Sequence, residues 1–271
     1  MSLERISDLY YTATQARQKL GMTKDAFNHY VRTNVIKKTT LIGNHGYYEK
    51  RMIDTMALSI AATMLTAQSS DLRFEKATLE TQGDEFKLAM LNFGERTQQF
   101  NEKRIELLKK NPDMSYYLYD GKFMVASINS VPLQHEGILK FKNGERGWLL
   151  GEYVEQYATG KPLELIIIDC MTTPLAPNNK RKQYAQRLFA ELADLLASWA
   201  SRGIEIASIY ACGGTPDGRQ ILESAKFTYL GEPRANRHIY ELDIVTSDMK
   251  LLKPYKDAYN TWKRVHGVEE E

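Results

Sequence analysis

"PLELIIIDCMTTPLAPNNKRKQYAQRL", residues 162–188, joins a largely apolar run to a basic, asparagine-rich turn and then to a helix-forming sequence. A β-branched run of this kind predicts a strand over 163–171 that is buried on both faces. The residues behind it predict a long helix from Asn179 to Arg202. The first N–H groups of any helix have no partners within it, and the positive end of the helix dipole lies there, so the turn suits an anion such as a pyrophosphate. Lys180, Arg181 and Lys182 add mobile cations, whereas Gln183 brings a side chain to a place where bare backbone would let phosphate oxygens approach.

Working outward, upstream elements are expected as a strand at 73–80, helices at 84–93 and 96–110, and a hairpin over 114–131 turning at Asp120-Gly121. Residues 134–161 read as short helices and loops. Downstream, a strand at 204–211, a helix at 216–226 and strands at 227–231 and 237–245 complete a mixed sheet with helices on both faces. The tail from Pro254 to Gly267 is a helix with Tyr255, Ala258, Tyr259, Trp262 and Val265 on one stripe. Such a face predicts packing back on the sheet domain or a dimer contact.

The first seventy residues have a different pattern. Thr12 or Thr14 is placed to cap a helix that stops at Gly21, and a second helix starts at Thr23 with Ala26, Phe27, Tyr30 and Val31 on one face. A hairpin around Gly43-Asn44-His45-Gly46 follows, then a third helix from Lys50 carrying Met52, Ile53, Met56, Ile60 and Met64, and a polar linker at 67–71. The stretches "YYTATQARQKLGMTKDAFNHYVRTNVI" and "GYYEKRMIDTMA" resemble the winged-helix DNA-binding module of the MerR and excisionase type. That resemblance implies a second helix in the major groove, with Lys24, Asn28, His29 and Arg32 facing DNA, and Lys37, Lys38, His45 and Tyr47 on or near the wing. Residues 1–68 hold nine Lys/Arg against five Asp/Glu and the remainder 27 against 29, so the basic surplus lies in this unit. The alternative is a small helical module that docks another protein or dimerises.

From Arg73 to Val245 the order of elements resembles the GNAT superfamily of N-acetyltransferases. In that family the strand before the central helix splays from its neighbour, and the pantetheine arm of acetyl-CoA lies in the gap. Aligned on Pro177 and Leu188, Lys180 takes the Gln/Arg place of the signature turn, Gln183 its first Gly and Ala185 its second, with Tyr184 between. The resemblance therefore implies acetyl-CoA as acyl donor, with Lys180, Arg181, Lys182, Gln183, Tyr184 and Ala185 around its diphosphate and the N–H groups of Met171 to Thr173 facing the thioester. Downstream, "GGTPDGRQILESAKFTYLGE" resembles the segment whose Tyr commonly protonates the departing thiolate. Phe227 keeps its place there, while Thr215 stands for Asn, Leu222 for that Tyr and Lys226 for Gly.

Acyl transfer to an amine also needs a base. Asp169 lies eleven residues before Lys180, a position that resembles the place of the general-base carboxylate in the histone-acetylating branch of that superfamily. Its apolar neighbours would desolvate it and raise its pKa; the alternative is that it pairs with a neighbouring strand. Tyr210 is the candidate to replace the missing tyrosine, or else packed core. Glu136, Glu145, Glu152 and Glu155 would draw a cationic acceptor or form a solvated face.

Composition narrows the remaining classes. At 271 residues and 43% hydrophobic, the chain has room for two domains, and a net charge of +2 gives no overall field toward nucleic acid or membrane. Cys170 and Cys212 lack ligand or disulfide spacing and read as buried and inert, which predicts a reducing cytoplasm. No signal core, membrane-length apolar run or metal motif is present. The expected architecture is α+β: a winged helix-turn-helix at 1–70, a GNAT-like mixed central sheet with helices on both faces at 71–246, and a helical tail at 247–271. Two functions remain open, an acetyl-CoA-dependent N-acyltransferase fused to a DNA-binding domain, and a transcriptional regulator whose non-catalytic acyltransferase fold senses acyl-CoA. Gln183, Leu222 and Lys226 speak for the second. DNA recognition through the first unit would call for a homodimer.

Overall fold

The computed structural model of the protein describes residues 9–41, 45–57 and 72–267, without the side chains of residues 95 and 96. Thr12 ends a short strand, β1 (Tyr10–Thr12), and caps a helix, α1 (Ala13–Leu20). Its hydroxyl accepts from the Gln15 N–H while the Gln15 side chain accepts from the Thr12 N–H, so neither amide is orphaned. Gly21, at φ 64°, makes the left-handed stop, and Thr23 caps α2 (Lys24–Arg32). The expected hairpin forms between β2 (Thr39–Thr40) and β3 (Gly46–Glu49), and its residues 43 and 44 lie outside the described residues. β1, an element the sequence reading lacked, pairs with the other edge of β3. A third helix, α3, is described over residues 50–57; the expected positions Ile60 and Met64 and the linker at 67–71 fall outside. Ala16, Leu20, Phe27, Tyr30, Ile36, Tyr48 and Ile53 form the buried core of this unit.

The second unit is a seven-stranded sheet. Its spatial order is β4 (Leu72–Lys76), β5 (Ser115–Asp120), β6 (Phe123–Leu133), β7 (Leu163–Thr172), β8 (Ile206–Cys212), β10 (Arg237–Asp243) and β9 (Thr228–Arg234). Every neighbouring pair is antiparallel except β7 and β8. A parallel pair needs a crossover. On one face lie α4 (Gln82–Phe93), α5 (Asn101–Lys110) and α6 (His135–Lys142); the crossover itself is α7 (Asn178–Ser201), on the opposite face. α8 (Pro216–Ser224) joins β8 to β9. The apolar run of β7 follows from this sandwiching: Leu165 packs with Leu188, Leu196 and Trp199 toward α7, while Ile166 packs with Tyr117, Leu107 and Ile138 on the other side.

Boundaries differ from expectation where side chains intervene. β4 stops at Lys76 rather than near Glu80, because Thr78 and Thr81 hydrogen-bond one another in a turn ahead of α4. A 3-10 turn, Gly94–Phe100, breaks what read as one helix at 96–110. The tail helix, α9 (Lys253–His266), lies along α7, with Tyr255, Tyr259 and Trp262 in a stacked column and the Tyr255 hydroxyl accepting from the Ile206 N–H at 2.6 Å. Val265, expected on that stripe, is 74% exposed. The first unit rests beside the turn after β7: Leu175 packs against its core, and a cavity of about 590 Å³ lined by Val35, Met56, Phe86 and Met90 lies between the two. Among the described residues no helix is long and apolar enough to cross a membrane.

Candidate functional site

β7 and β8 pair from Leu163↔Ile206 to Ile167↔Ala211 and then part, while β7 continues to Thr172 against β6 alone. At that level the register with β6 slips, Asn129 facing Asp169 and Ser130 facing Ile167, so Ile168 is a bulge. A bulge bends its strand and increases its twist, which carries residues 168–172 away from β8. Alternation in the ladder turns the main-chain groups of Asp169 and Met171 toward β6, and the Thr173 N–H reaches the Val125 carbonyl at 2.7 Å. The N–H groups of Met171 and Thr173 are therefore engaged, contrary to expectation. Those of Cys170 and Thr172 point away from β6, toward the gap that β8 leaves. On the same side, Asn92 Nδ2 donates to the Thr172 carbonyl at 3.2 Å.

The gap also corrects the reading of Cys170, which is exposed rather than buried. Protein crowding the thiol, with Asp169 next to it, pushes its pKa up to about 12. It is no nucleophile at neutral pH. The Met171 side chain is buried against Leu88 and Ala89 of α4.

α7 begins at Asn178, one residue before the predicted start, and its first helical bond runs from the Arg181 N–H to the Pro177 carbonyl at 2.9 Å. The amides of Asn178 and Asn179 thus precede the helical ladder, and no side chain caps them. Gln183, Tyr184 and Ala185 fall in the second turn, displaced from the expected diphosphate contact. Gln183 points to solvent, Ala185 is half-buried, and Tyr184 is core, its hydroxyl donating to Asp120 Oδ2 at 2.8 Å. Lys182 is exposed and Lys180 half-buried. Arg181 lies beside Tyr30 of the first unit, and its buried Nε has no hydrogen-bond partner.

Of the two readings of Asp169, the structure shows the paired one. Arg104 of α5 reaches it at 3.2 Å and also pairs with Glu85 of α4, while Asn129 Nδ2 donates to Asp169 Oδ1 at 2.6 Å and to Glu85 Oε1 at 2.9 Å. The Tyr117 hydroxyl approaches Glu85 at 3.5 Å, and the Arg104 guanidinium lies 4.2 Å from the Trp148 ring centre. Two carboxylates thus share one guanidinium in a buried setting. Desolvation raises the Glu85 pKa to about 7, with Arg104 opposing and Asp169 adding to the rise. The group poised to hold a proton near neutrality is Glu85, which sequence reading missed. Its signal was faint, since "QGDEF" has the look of an exposed first helical turn.

Tyr210 takes the alternative reading, packed core with a satisfied hydroxyl. Its hydroxyl donates to Glu241 Oε1 at 2.7 Å and stands 3.2 Å from Glu164 Oε1; burial first, then these carboxylates, raise its pKa and make it a poor proton donor. Thr215 caps α8 by accepting from the Gly218 N–H at 3.0 Å, Leu222 is half-buried, and Lys226 adopts φ 61°, the left-handed conformation that glycine takes without strain.

No protein-family model and no curated protein matches the sequence. Among solved structures, similarity extends to the loading GNATL domain of CurA from Lyngbya majuscula, at 16% identity and TM-score 0.46, over 65% of this chain and 99% of that one. It extends also to the ribosomal-protein-S18-alanine N-acetyltransferase from Escherichia coli, at 12% identity and TM-score 0.40, over 66% and 97%. A third is an aminoglycoside N(6')acetyltransferase from Legionella pneumophila, at 10% identity and TM-score 0.40, over 70% and 95%. The bulge, the parting of β7 from β8 and the uncapped head of α7 carry the reading that follows, not these similarities.

In the first unit, Lys24, Asn28, His29 and Arg32 are exposed along one side of α2 while Phe27 and Tyr30 are buried on the other. Lys37, Lys38 and His45 are exposed and Tyr47 is half-buried. Among the described residues no group of His, Cys, Asp and Glu is arranged to hold a metal ion.

Proposed function

We propose that the sheet domain is an acyl-CoA-dependent N-acyltransferase of the GNAT type. The observation that carries this is the coincidence of three features: the Ile168 bulge, the end of pairing at Ile167↔Ala211, and the uncapped amides of Asn178 and Asn179 beyond the same strand. An extended pantetheine arm fits a gap that presents main-chain groups of one strand, and a diphosphate fits a helix head. The amine nitrogen bonds to the thioester carbonyl carbon as the carbon–sulfur bond breaks, with its electron pair leaving on sulfur. Asp169 takes the nitrogen's proton into the pair it shares with Glu85, the thiolate is protonated from solvent, and the pair then releases its proton to solvent. Arg104 and Asn129 orient both carboxylates.

A thermal-shift titration tests this reading. Acetyl-CoA at 100 times its dissociation constant stabilises a folded protein by about 2.7 kcal/mol. The account expects such a shift with acetyl-CoA and with CoA, and no shift with either counts against it.

One observation favours a DNA partner as well: α2 turns Lys24, Asn28, His29 and Arg32 outward together. The proposal for this unit is phosphate-backbone binding by a winged helix, as a dimer when half-sites are paired. Affinity for duplex DNA would then fall with salt, by roughly one unit of log slope per phosphate contacted, and a flat salt dependence would argue for a protein-docking module instead.

A further inference from the structure

The crotch where β7 and β8 part is ringed by arginine. Arg237 opens β10 beside Cys212, the last residue of β8. Its Nη2 donates to the Glu145 carbonyl at 2.7 Å, its guanidinium lies 5.9 Å from the Phe141 ring centre, and its buried Nε has no hydrogen-bond partner. Arg234 donates to Glu145 Oε1 at 2.7 Å, and Arg146 stands 5.4 Å from the Phe100 ring centre. Next to Arg146, Gly147 lies so close to the strand that a Cβ there would meet Ile166 and Ile168 at 3.0 and 3.1 Å. The arginines therefore bracket the bulge, on the face of the sheet that carries α4, α5 and α6.

Charge here is unbalanced. Burial lowers the Arg237 pKa, and Arg146 and Arg234 lower it further against the opposing pull of Cys212 and Glu145. Glu145 is the carboxylate that answers them among the described residues, since nearby Glu232 accepts from the Asn236 N–H at 2.7 Å and faces His238 at 3.7 Å. A buried guanidinium nitrogen without a partner, crowded by like charge, is costly unless an anion completes it. The planar fork of arginine suits the two oxygens of a carboxylate or phosphate. Of the four glutamates that might have drawn a cation, Glu145 pairs with Arg234, Glu155 pairs with Lys161 and Glu136 accepts from the Tyr153 hydroxyl.

The geometry points to an anion site at this crotch, formed by Arg237 and Arg146 with Arg234 at its rim, that selects as acyl acceptor a small amine bearing a carboxylate or phosphate. The assignment to the acceptor rests on the acyl-transfer reading; the anion site rests on the arginines alone.

Glutarate and inorganic phosphate probe the site without turnover. Either anion, titrated into the full chain while arginine Nε–H resonances are followed, should move the Arg237 signal. Arg237→Gln should weaken that binding by about tenfold or more, the worth of a charge-assisted hydrogen bond. Arg146→Gln, at an exposed side chain that the fold does not need, should weaken it less. With acetyl-CoA present, γ-aminobutyrate should release CoA faster than butylamine, and phosphoethanolamine faster than ethanolamine, with both preferences lost in Arg237→Gln. Anions that leave Arg237 unmoved, or bind the Arg237→Gln variant equally well, overturn the site. Neutral amines acylated as readily as their charged counterparts overturn its role in choosing the acceptor. Retained anion binding in a protein that binds no acetyl-CoA would sink the acyl-transfer reading and leave the anion site standing.

Discussion

Residues 163–167 of β7 have a strand on both sides, whereas residues 168–172 have β6 alone. The first half is an ordinary piece of sheet interior, with Leu165 and Ile166 buried against opposite helical layers. In the second half, main-chain groups look into a gap, Cys170 meets solvent, and two carboxylates gather around Arg104. One strand thus serves stability and then chemistry, and a single-residue bulge separates the two.

The largest effect that would break this contrast comes from Arg104→Leu, which leaves Glu85 and Asp169 together without their cation. Removing one partner from a buried ionic set costs about 3–5 kcal/mol, readable by urea unfolding at pH 7.5, and adding Glu85→Gln should restore part of it. A smaller loss, about 2–4 kcal/mol, is expected for Ile166→Ala in the closed half, with acetyl-CoA affinity of the folded fraction unchanged. By contrast Cys170→Trp should alter stability little, because the position is exposed, and should abolish that affinity by filling the gap.

A pH series sharpens the same contrast. The folded Glu85 pKa, about 7, lies above the ordinary value of 4.5, so the folded state binds this proton more tightly than the unfolded chain does. Its contribution to stability is complete below 4.5 and is lost as pH rises through about 7. The stability difference between wild type and Glu85→Gln should vary across that window, and a constant difference would contradict the raised pKa of Glu85. The smallest expected change is a gain of about 1 kcal/mol from Lys226→Gly, which relieves a left-handed backbone.

Much of this was legible in sequence because local rules dominate there. Gly21 and Thr23 mark a helix stop and start that side chains or backbone satisfy on the spot, and the run from Leu163 announces a strand covered on both faces. What stayed hidden depends on partners distant in the chain. Pairing of Asp169 with a neighbouring strand was an open alternative in the sequence, and Asn129 supplies it, but Glu85 and Arg104 come from two helices and meet Asp169 only once both pack on the sheet. The bulge at Ile168 shifts which amides face the gap by one residue, a change that an apolar run cannot encode. The arginine ring draws on a loop and on both arms of the β9–β10 hairpin, and the neighbouring glutamates suggested the opposite charge.

Amide hydrogen exchange on the full chain, with and without CoA, tests the central claim most directly. Slowed exchange at Cys170, Thr172, Asn178 and Asn179, with Leu165 and Ile167 unchanged, is the predicted result. CoA that binds and protects other segments while leaving those four amides as they were would contradict it.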